Sequence, residues 1–282
     1  MKPVAGQMQR IRRQIAGIGL AFLALTVPPS QAPGQSRSSI PPRDSGNPLS
    51  ELISGYEFSP IHVRALQDDD FDNPGFKWVS RGEALWMMRD GASQESCASC
   101  HDEGKDAMRG RAAHYPKFDD RAGKVVTLAQ RINICRSDKM EAEPWGHGSE
   151  DLLGMTAFLR LLSRGLPMAG NIEGAAEASF ERGKTIYNGR MGQLGMSCAG
   201  CHNRYYGKSY RGQLISQGHS NGFPAYQLEA QSFLSLHDRV SACYRLMKAE
   251  PHPPGADDYV ALELYLAWRG AGLPLEAPAV RR

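Results

Sequence analysis

Two pentapeptides carry the clearest chemistry in this chain, Cys97-Ala98-Ser99-Cys100-His101 and Cys198-Ala199-Gly200-Cys201-His202, both of the form C-x-x-C-H. Two thiols at that spacing reach the two vinyl groups on one edge of a porphyrin, and the histidine that follows directly turns its imidazole onto the iron. A lone C-x-x-C would also suit a redox disulfide or half a zinc site. The adjacent histidine and the second occurrence make covalent attachment of two haem c groups the expectation. Cys97, Cys100, Cys198 and Cys201 are then the attachment points, and His101 and His202 the iron ligands.

Cys135 and Cys243 remain of the six cysteines, nine and eight residues before Pro144 and Pro251. In an oxidising compartment they could form one disulfide. Their equivalent places favour equivalent jobs, as thiolate ligands on the far side of each haem. Methionine competes, because Met140 and Met247 each lie four residues before the same two prolines. His114, His147, Met155 and Met168 have no partner in register with His219, His237 and His252. The residues themselves leave thiolate, methionine and disulfide open. A thiolate stabilises ferric iron, so two His/Cys haems would have low reduction potentials.

The elements that must hold these groups come in two copies. Arg81-Gly82 precedes Cys97 at the spacing at which Arg182-Gly183 precedes Cys198, an offset of 101; Glu143-Pro144 and Leu166-Pro167 stand in the same relation as Glu250-Pro251 and Leu273-Pro274, an offset of 107. Repetition at a fixed period points to a duplicated unit with extra residues in its second copy. Each copy reads as helix, haem motif, irregular stretch, helix, turn, helix. Gly82 with Trp86, and Gly183 with Tyr187, put a small and an aromatic residue on one helical face, which permits a close helix crossing. Leu152, Leu153, Met155, Leu159 and Leu162, and later Tyr259, Leu262, Tyr265, Leu266 and Trp268, repeat at helical spacing, with Gly165 and Gly270 placed to stop them. No segment alternates as a strand should. The expected fold is all-α, two tandem class I cytochrome c-like domains at residues 76–170 and 171–282, related by internal duplication and preceded by an N-terminal extension.

The chain of 282 residues has a formal net charge of +3, but Lys2, Arg10, Arg12 and Arg13 lie in its first thirteen residues and no acid occurs before residue 33. Without that segment the charge is near −1, which gives no basis for nucleic-acid binding. The basic start, the apolar run Ile15 to Val27 and the small residues around Ala32 form a secretory leader over residues 1–32. Residues 33–75 read as linker and extension, with Asp68 to Asp70 a solvated loop. A periplasmic protein, not embedded in a membrane once the leader is removed, is expected.

With these motifs the chain resembles the SoxA family, the larger cytochrome subunits of the SoxAX complexes of periplasmic sulfur oxidation. The resemblance runs from about residue 51 to 278 and rests on both C-x-x-C-H motifs, on Arg131-Ile132-Asn133-Ile134-Cys135-Arg136 and on Arg239-Val240-Ser241-Ala242-Cys243. It implies that Cys135 and Cys243 are the distal iron ligands and that the second haem is the active one. It further implies that Cys243 is catalytic and held as a persulfide, and that Arg239 binds substrate. The implied activity is that of an L-cysteine S-thiosulfotransferase, conjugating thiosulfate to a cysteine of a SoxYZ-type carrier and passing two electrons to c-type haem. The implied partners are a SoxX-type small cytochrome c subunit and an electron-accepting cytochrome c.

Arg239 and Cys243 share a helical face, but Arg131 and Cys135 have the same spacing, so the arginine alone does not separate the sites. Charge does so better. From Asn203 to Leu228 there are Arg204, Lys208 and Arg211, no acid, and the interleaved Tyr205, Tyr206 and Tyr210, whereas Asp102 to Asn133 mixes five acids with seven bases. A patch of one sign concentrates anions. A dihaem electron-transfer protein and a dihaem cytochrome c peroxidase are the alternatives.

Overall fold

The computed structural model describes residues 38–101 and 105–282; the expected leader at 1–32, the start of the extension and Asp102-Glu103-Gly104 lie outside the described residues. The N-terminal segment pairs β1 (Ser39–Ile40) with β2 (Leu52–Ile53) and continues into α1 (Ile61–Asp68). Then follow α2 (Phe76–Met87), the motif helix α3 (Cys97–Cys100), a hairpin of β3 (Lys117–Asp119) and β4 (Lys124–Val126), α4 (Leu128–Lys139) and α5 (Glu150–Leu161). The second half has α6 (Glu177–Asn188), a π-turn at Gly200–Arg204, hairpins β5 (Ser209–Tyr210) with β6 (Gln213–Leu214) and β7 (Ala225–Gln227) with β8 (Ser232–Leu234), then α7 (Leu236–Leu246) and α8 (Asp257–Arg269). A last strand, β9 (Ala279–Arg281), lies parallel to β7.

Helices dominate, as the periodicity requires. The strands that the sequence reading did not anticipate are two or three residues long, too short for alternation to register. Both cysteine-bearing helices begin where a hairpin ends, and their starts are encoded locally. Thr127 and Gln130 form a capping box at α4, and Ser235 with Asp238 forms one at α7. Ser149 caps α5, with Glu150 and Asp151 in the first turn where the helix dipole favours acids. Gly270 is the C-cap of α8, while Gly165, at φ 78°, lies a few residues beyond the end of α5.

Each half rests on a helix pair in backbone contact. A Cβ on Gly82 would collide with the carbonyl of Gly154, and one on Gly183 with that of Ala261, so α2 crosses α5 and α6 crosses α8 at their closest possible approach. Trp86, Phe158 and Met155 fill the first core beside this crossing, and Tyr187, Tyr265 and Leu262 the second. The two Leu-Pro turns singled out by the repeat are where the halves meet: Met168 N donates to Leu273 O at 2.9 Å and Leu275 N to Leu166 O at 2.9 Å.

The N-terminal extension packs on both halves: Val63 of α1 joins the core that holds Val79 and Trp86, while the β1–β2 part lies against the second half. Leu49 and Leu52 bury against Leu273, and Ile53 N donates to Gln217 Oε1 at 2.8 Å. In the acidic run, Asp68 closes α1 and Asp70 forms a bidentate ion pair with Arg164 at 2.6 and 2.7 Å. Among the described residues no helix is long and apolar enough to cross a membrane.

Gly82→Ala and Gly183→Ala are each expected to destabilise the haem-loaded protein by about 1–3 kcal/mol, lowering Tm by several degrees in scanning calorimetry. An unchanged Tm would show that the crossings are looser than described.

Candidate haem sites

In the first half, Ser96 starts the motif helix through a capping box with Ser99, which presents Cys97, Cys100 and His101 to one cavity of about 870 Å³. The opposite wall comes from α4, with Cys135, Arg131 and Met140. The Trp86 ring stacks on His101, with centroids 5.9 Å apart. Burial pushes the Cys97 thiol up to about 11, and the nearby Cys135 adds to the shift. Burial also raises the Cys135 thiol. The volume lies within the range of cofactor pockets, roughly 300–1,000 Å³. Trp86, another lining residue, has its Nε1 buried without a hydrogen-bond partner among the described residues. The donor set and the orphaned indole N–H both fit a covalently held haem with polar substituents.

In the second half, Ser197 Oγ accepts from Gly200 N at 3.1 Å, and the π-turn carries Cys201 and His202. His202 Nδ1 lies 2.8 Å from Ser216 O; a carbonyl only accepts, so Nδ1 carries the hydrogen and the Nε2 lone pair is left for a metal. Gly218, at φ 73°, lies so close to the imidazole that a Cβ there would stand 2.8 Å from His202 Cγ. Burial lowers the His202 pKa to about 4 against the opposing Ser216 hydrogen bond, with Arg269 and Arg239 adding to the fall; the ring is neutral, as ligation requires. Burial raises Cys198 to about 12, and Cys243 on α7 is the next contributor, as Cys135 is for Cys97. The structure therefore gathers Cys198, Cys201, His202, Cys243 and Arg239 around one site.

All six thiols are free, and Cys135 and Cys243 sit in different sites, each beside its own motif. Met140 lines the first cavity, while Met247 packs with Tyr244 and Tyr259. The histidines of the second half are engaged elsewhere: His219 with Gln217 at 2.9 Å, His237 with Glu263 at 3.0 Å and His252 with Asp258 at 3.6 Å.

The arginines that spacing could not separate have different surroundings. Arg131 is half-buried and bound to Asp119 at 3.0 Å. Arg239 is exposed and has no ion pair among the described residues. The hairpins explain the difference, because Asp119 ends β3 and the corresponding last residue of β7 is Gln227. The signal was present in the sequence, since Asp119 and Gln227 are offset by the same 108 residues as Cys135 and Cys243. Of the interleaved tyrosines, Tyr205 and Tyr210 are exposed beside Arg204 and Arg211, but Tyr206 turns inward onto Phe58. Sequence reasoning missed Ser216, Gly218 and the buried Arg269, which no motif marks.

Residues 81–168 and 182–275 match the SoxA/TsdA cytochrome c domain family. The L-cysteine S-thiosulfotransferase subunit SoxA of Rhodovulum sulfidophilum is 41% identical over 231 residues, 82% of this chain and 80% of the relative. Its namesake in Pseudaminobacter salicylatoxidans is 36% identical over 275 residues, 95% of each chain. The crystal structure of SoxXA from P. pantotrophus superposes with a TM-score of 0.80 at 40% identity, covering 83% of this chain and 88% of that one.

Gly218→Ala is expected to leave the attached haem content unchanged while a methyl displaces His202. The near-infrared magnetic circular dichroism of the ferric protein should then change for one haem and not for the other. A spectrum identical to that of the unsubstituted protein would contradict the contact.

Proposed function

Since the chain belongs to the SoxA/TsdA cytochrome c family, we propose that it is an exported dihaem L-cysteine S-thiosulfotransferase subunit, with two cytochrome c domains at 76–170 and 171–282 that arose by duplication. It conjugates thiosulfate to a cysteine of a SoxYZ-type carrier in the periplasm, reached through the leader at 1–32, and works with a SoxX-type small cytochrome c subunit. Joining thiosulfate to a thiol makes one S–S bond and releases one proton and two electrons. Haem c, attached through Cys97 and Cys100 and through Cys198 and Cys201, supplies the electron sink when bound, and an electron-accepting cytochrome c receives the electrons onward.

Within this reading His101 with Cys135, and His202 with Cys243, are the axial pairs. Cys243, itself present as a persulfide, also holds the intermediate with the S–SO3 bond of thiosulfate intact, and Arg239 offsets the charge of the dianion one helical turn away. The observation that carries the assignment to the second site is the exposed guanidinium of Arg239 beside that site, without an ion pair among the described residues, set against the Arg131–Asp119 pair in the first. A guanidinium already bound to a carboxylate has little to offer an incoming anion. The exposed Arg204, Lys208 and Arg211 add attraction at longer range.

The test is turnover of thiosulfate onto the carrier thiol, followed by mass spectrometry of the carrier. Cys243→Ser should abolish it with both haems still attached. Arg239→Gln should lower kcat/KM roughly 10- to 100-fold, the worth of one charged hydrogen bond. Normal turnover by Cys243→Ser would overturn the proposal.

A further inference from the structure

Arg269 ends α8 with its side chain wholly buried, and no carboxylate pairs with it among the described residues. Its guanidinium donates to Gln217 O at 2.6 Å, to Asn203 Oδ1 at 2.5 Å and to His202 O at 3.2 Å, and lies 4.9 Å from the centre of the Tyr187 ring. Tyr187 itself donates to Asn203 Oδ1 at 3.0 Å. Nε has no hydrogen-bond partner among the described residues. A buried cation is costly to desolvate unless hydrogen bonds and nearby dipoles offset the loss of water. Neutral acceptors and an aromatic face supply that offset here from the protein's side.

The acceptors are the informative part. One is the peptide carbonyl of His202 itself. Another belongs to Gln217, between Ser216, whose carbonyl holds His202 Nδ1, and Gly218, which abuts the ring. A single planar fork therefore ties the backbone of the ligand to the loop that orients its imidazole. Among the described residues of the first half no arginine stands at the corresponding place. Gly154 and Ala261 occupy corresponding places on α5 and α8, each against the glycine of its partner helix, and counting on from them puts Leu162 where Arg269 stands.

We propose that Arg269 is a positioning residue of the second site, which fixes the imidazole plane of His202 and, as a buried cation, raises the reduction potential of the haem that His202 ligates. Reduction adds one electron to that haem, and a fixed positive charge in a medium of low dielectric stabilises the added negative charge. This inference rests on His202 being a haem ligand and is independent of the sulfur-transfer chemistry.

The experiment is an optical redox titration, with dithionite as reductant, of the full-length haem-loaded protein, alongside electron paramagnetic resonance of its oxidised form. Haem content by pyridine haemochrome separates the two readings: an unsubstituted protein with haem at only the first motif would remove the premise. Arg269→Leu, which copies Leu162 of the first half, should lower one midpoint potential and shift one low-spin signal, leaving the other haem unchanged. Arg269→Lys, which keeps the charge and loses the fork, should restore most of the potential while the signal stays shifted. A Leu variant with a lower Tm but both midpoints and both signals unchanged would reduce Arg269 to a packing role. If the Leu variant does not accumulate, the Lys variant decides, and an unshifted signal there overturns the positioning role.

Discussion

A haem tied to the chain through two thiols has one face set by the motif histidine, and the fold must bring a second donor over the other face. In each half the motif follows the first helix, while the helix bearing Cys135 or Cys243 is joined to it only through an irregular stretch and a hairpin. The distance between these two parts is the constraint on which the rest depends. The glycine-mediated crossings α2–α5 and α6–α8 give each half a rigid base, and the capping boxes at Thr127 and Ser235 fix where the cysteine helices start. A register change of one residue in either helix would turn its cysteine by about 100° away from the iron.

On this common plan the halves differ in charge and support. Asp119 neutralises Arg131, whereas Gln227 stands at the corresponding place and Arg239 has no ion pair among the described residues. Leu162 ends the closing helix of the first half in an apolar contact, whereas Arg269 ends that of the second in a web of carbonyls. Strand β9 pairs with β7 while its Val280 enters the first core, and Gln217 joins the start of the extension to the histidine loop through Ile53 and Glu51. The second site thus holds His202 through Ser216, Gly218 and Arg269 and leaves Arg239 exposed on the helix that carries Cys243. That combination suits a centre that works on a charged substrate.

What the sequence made legible was local. The C-x-x-C-H motifs, the paired cysteines, the glycine-aromatic helix faces and the leucine-proline turns all follow from short-range chemistry, and the structure places each at corresponding positions in the two halves. The hairpins escaped because a three-residue strand carries no period. The buried Arg269 escaped because its partners lie more than fifty residues away along the chain. Tyr206 was read with its exposed neighbours because nothing in its spacing reveals that Phe58 covers it. The Asp119–Gln227 difference is legible at the 108-residue offset of the two cysteines, but it lies in the hairpins, away from the cysteines and prolines whose spacing reveals the repeat.

The central claim is that Cys135 and Cys243 complete two similar haem sites, and low-temperature electron paramagnetic resonance of the oxidised, haem-loaded protein tests it most directly. Two low-spin ferric species with the signature of histidine and thiolate ligation are the predicted result. Histidine–methionine signals, or high-spin haem without thiolate, would contradict it and return Met140 and Met247 to the distal positions.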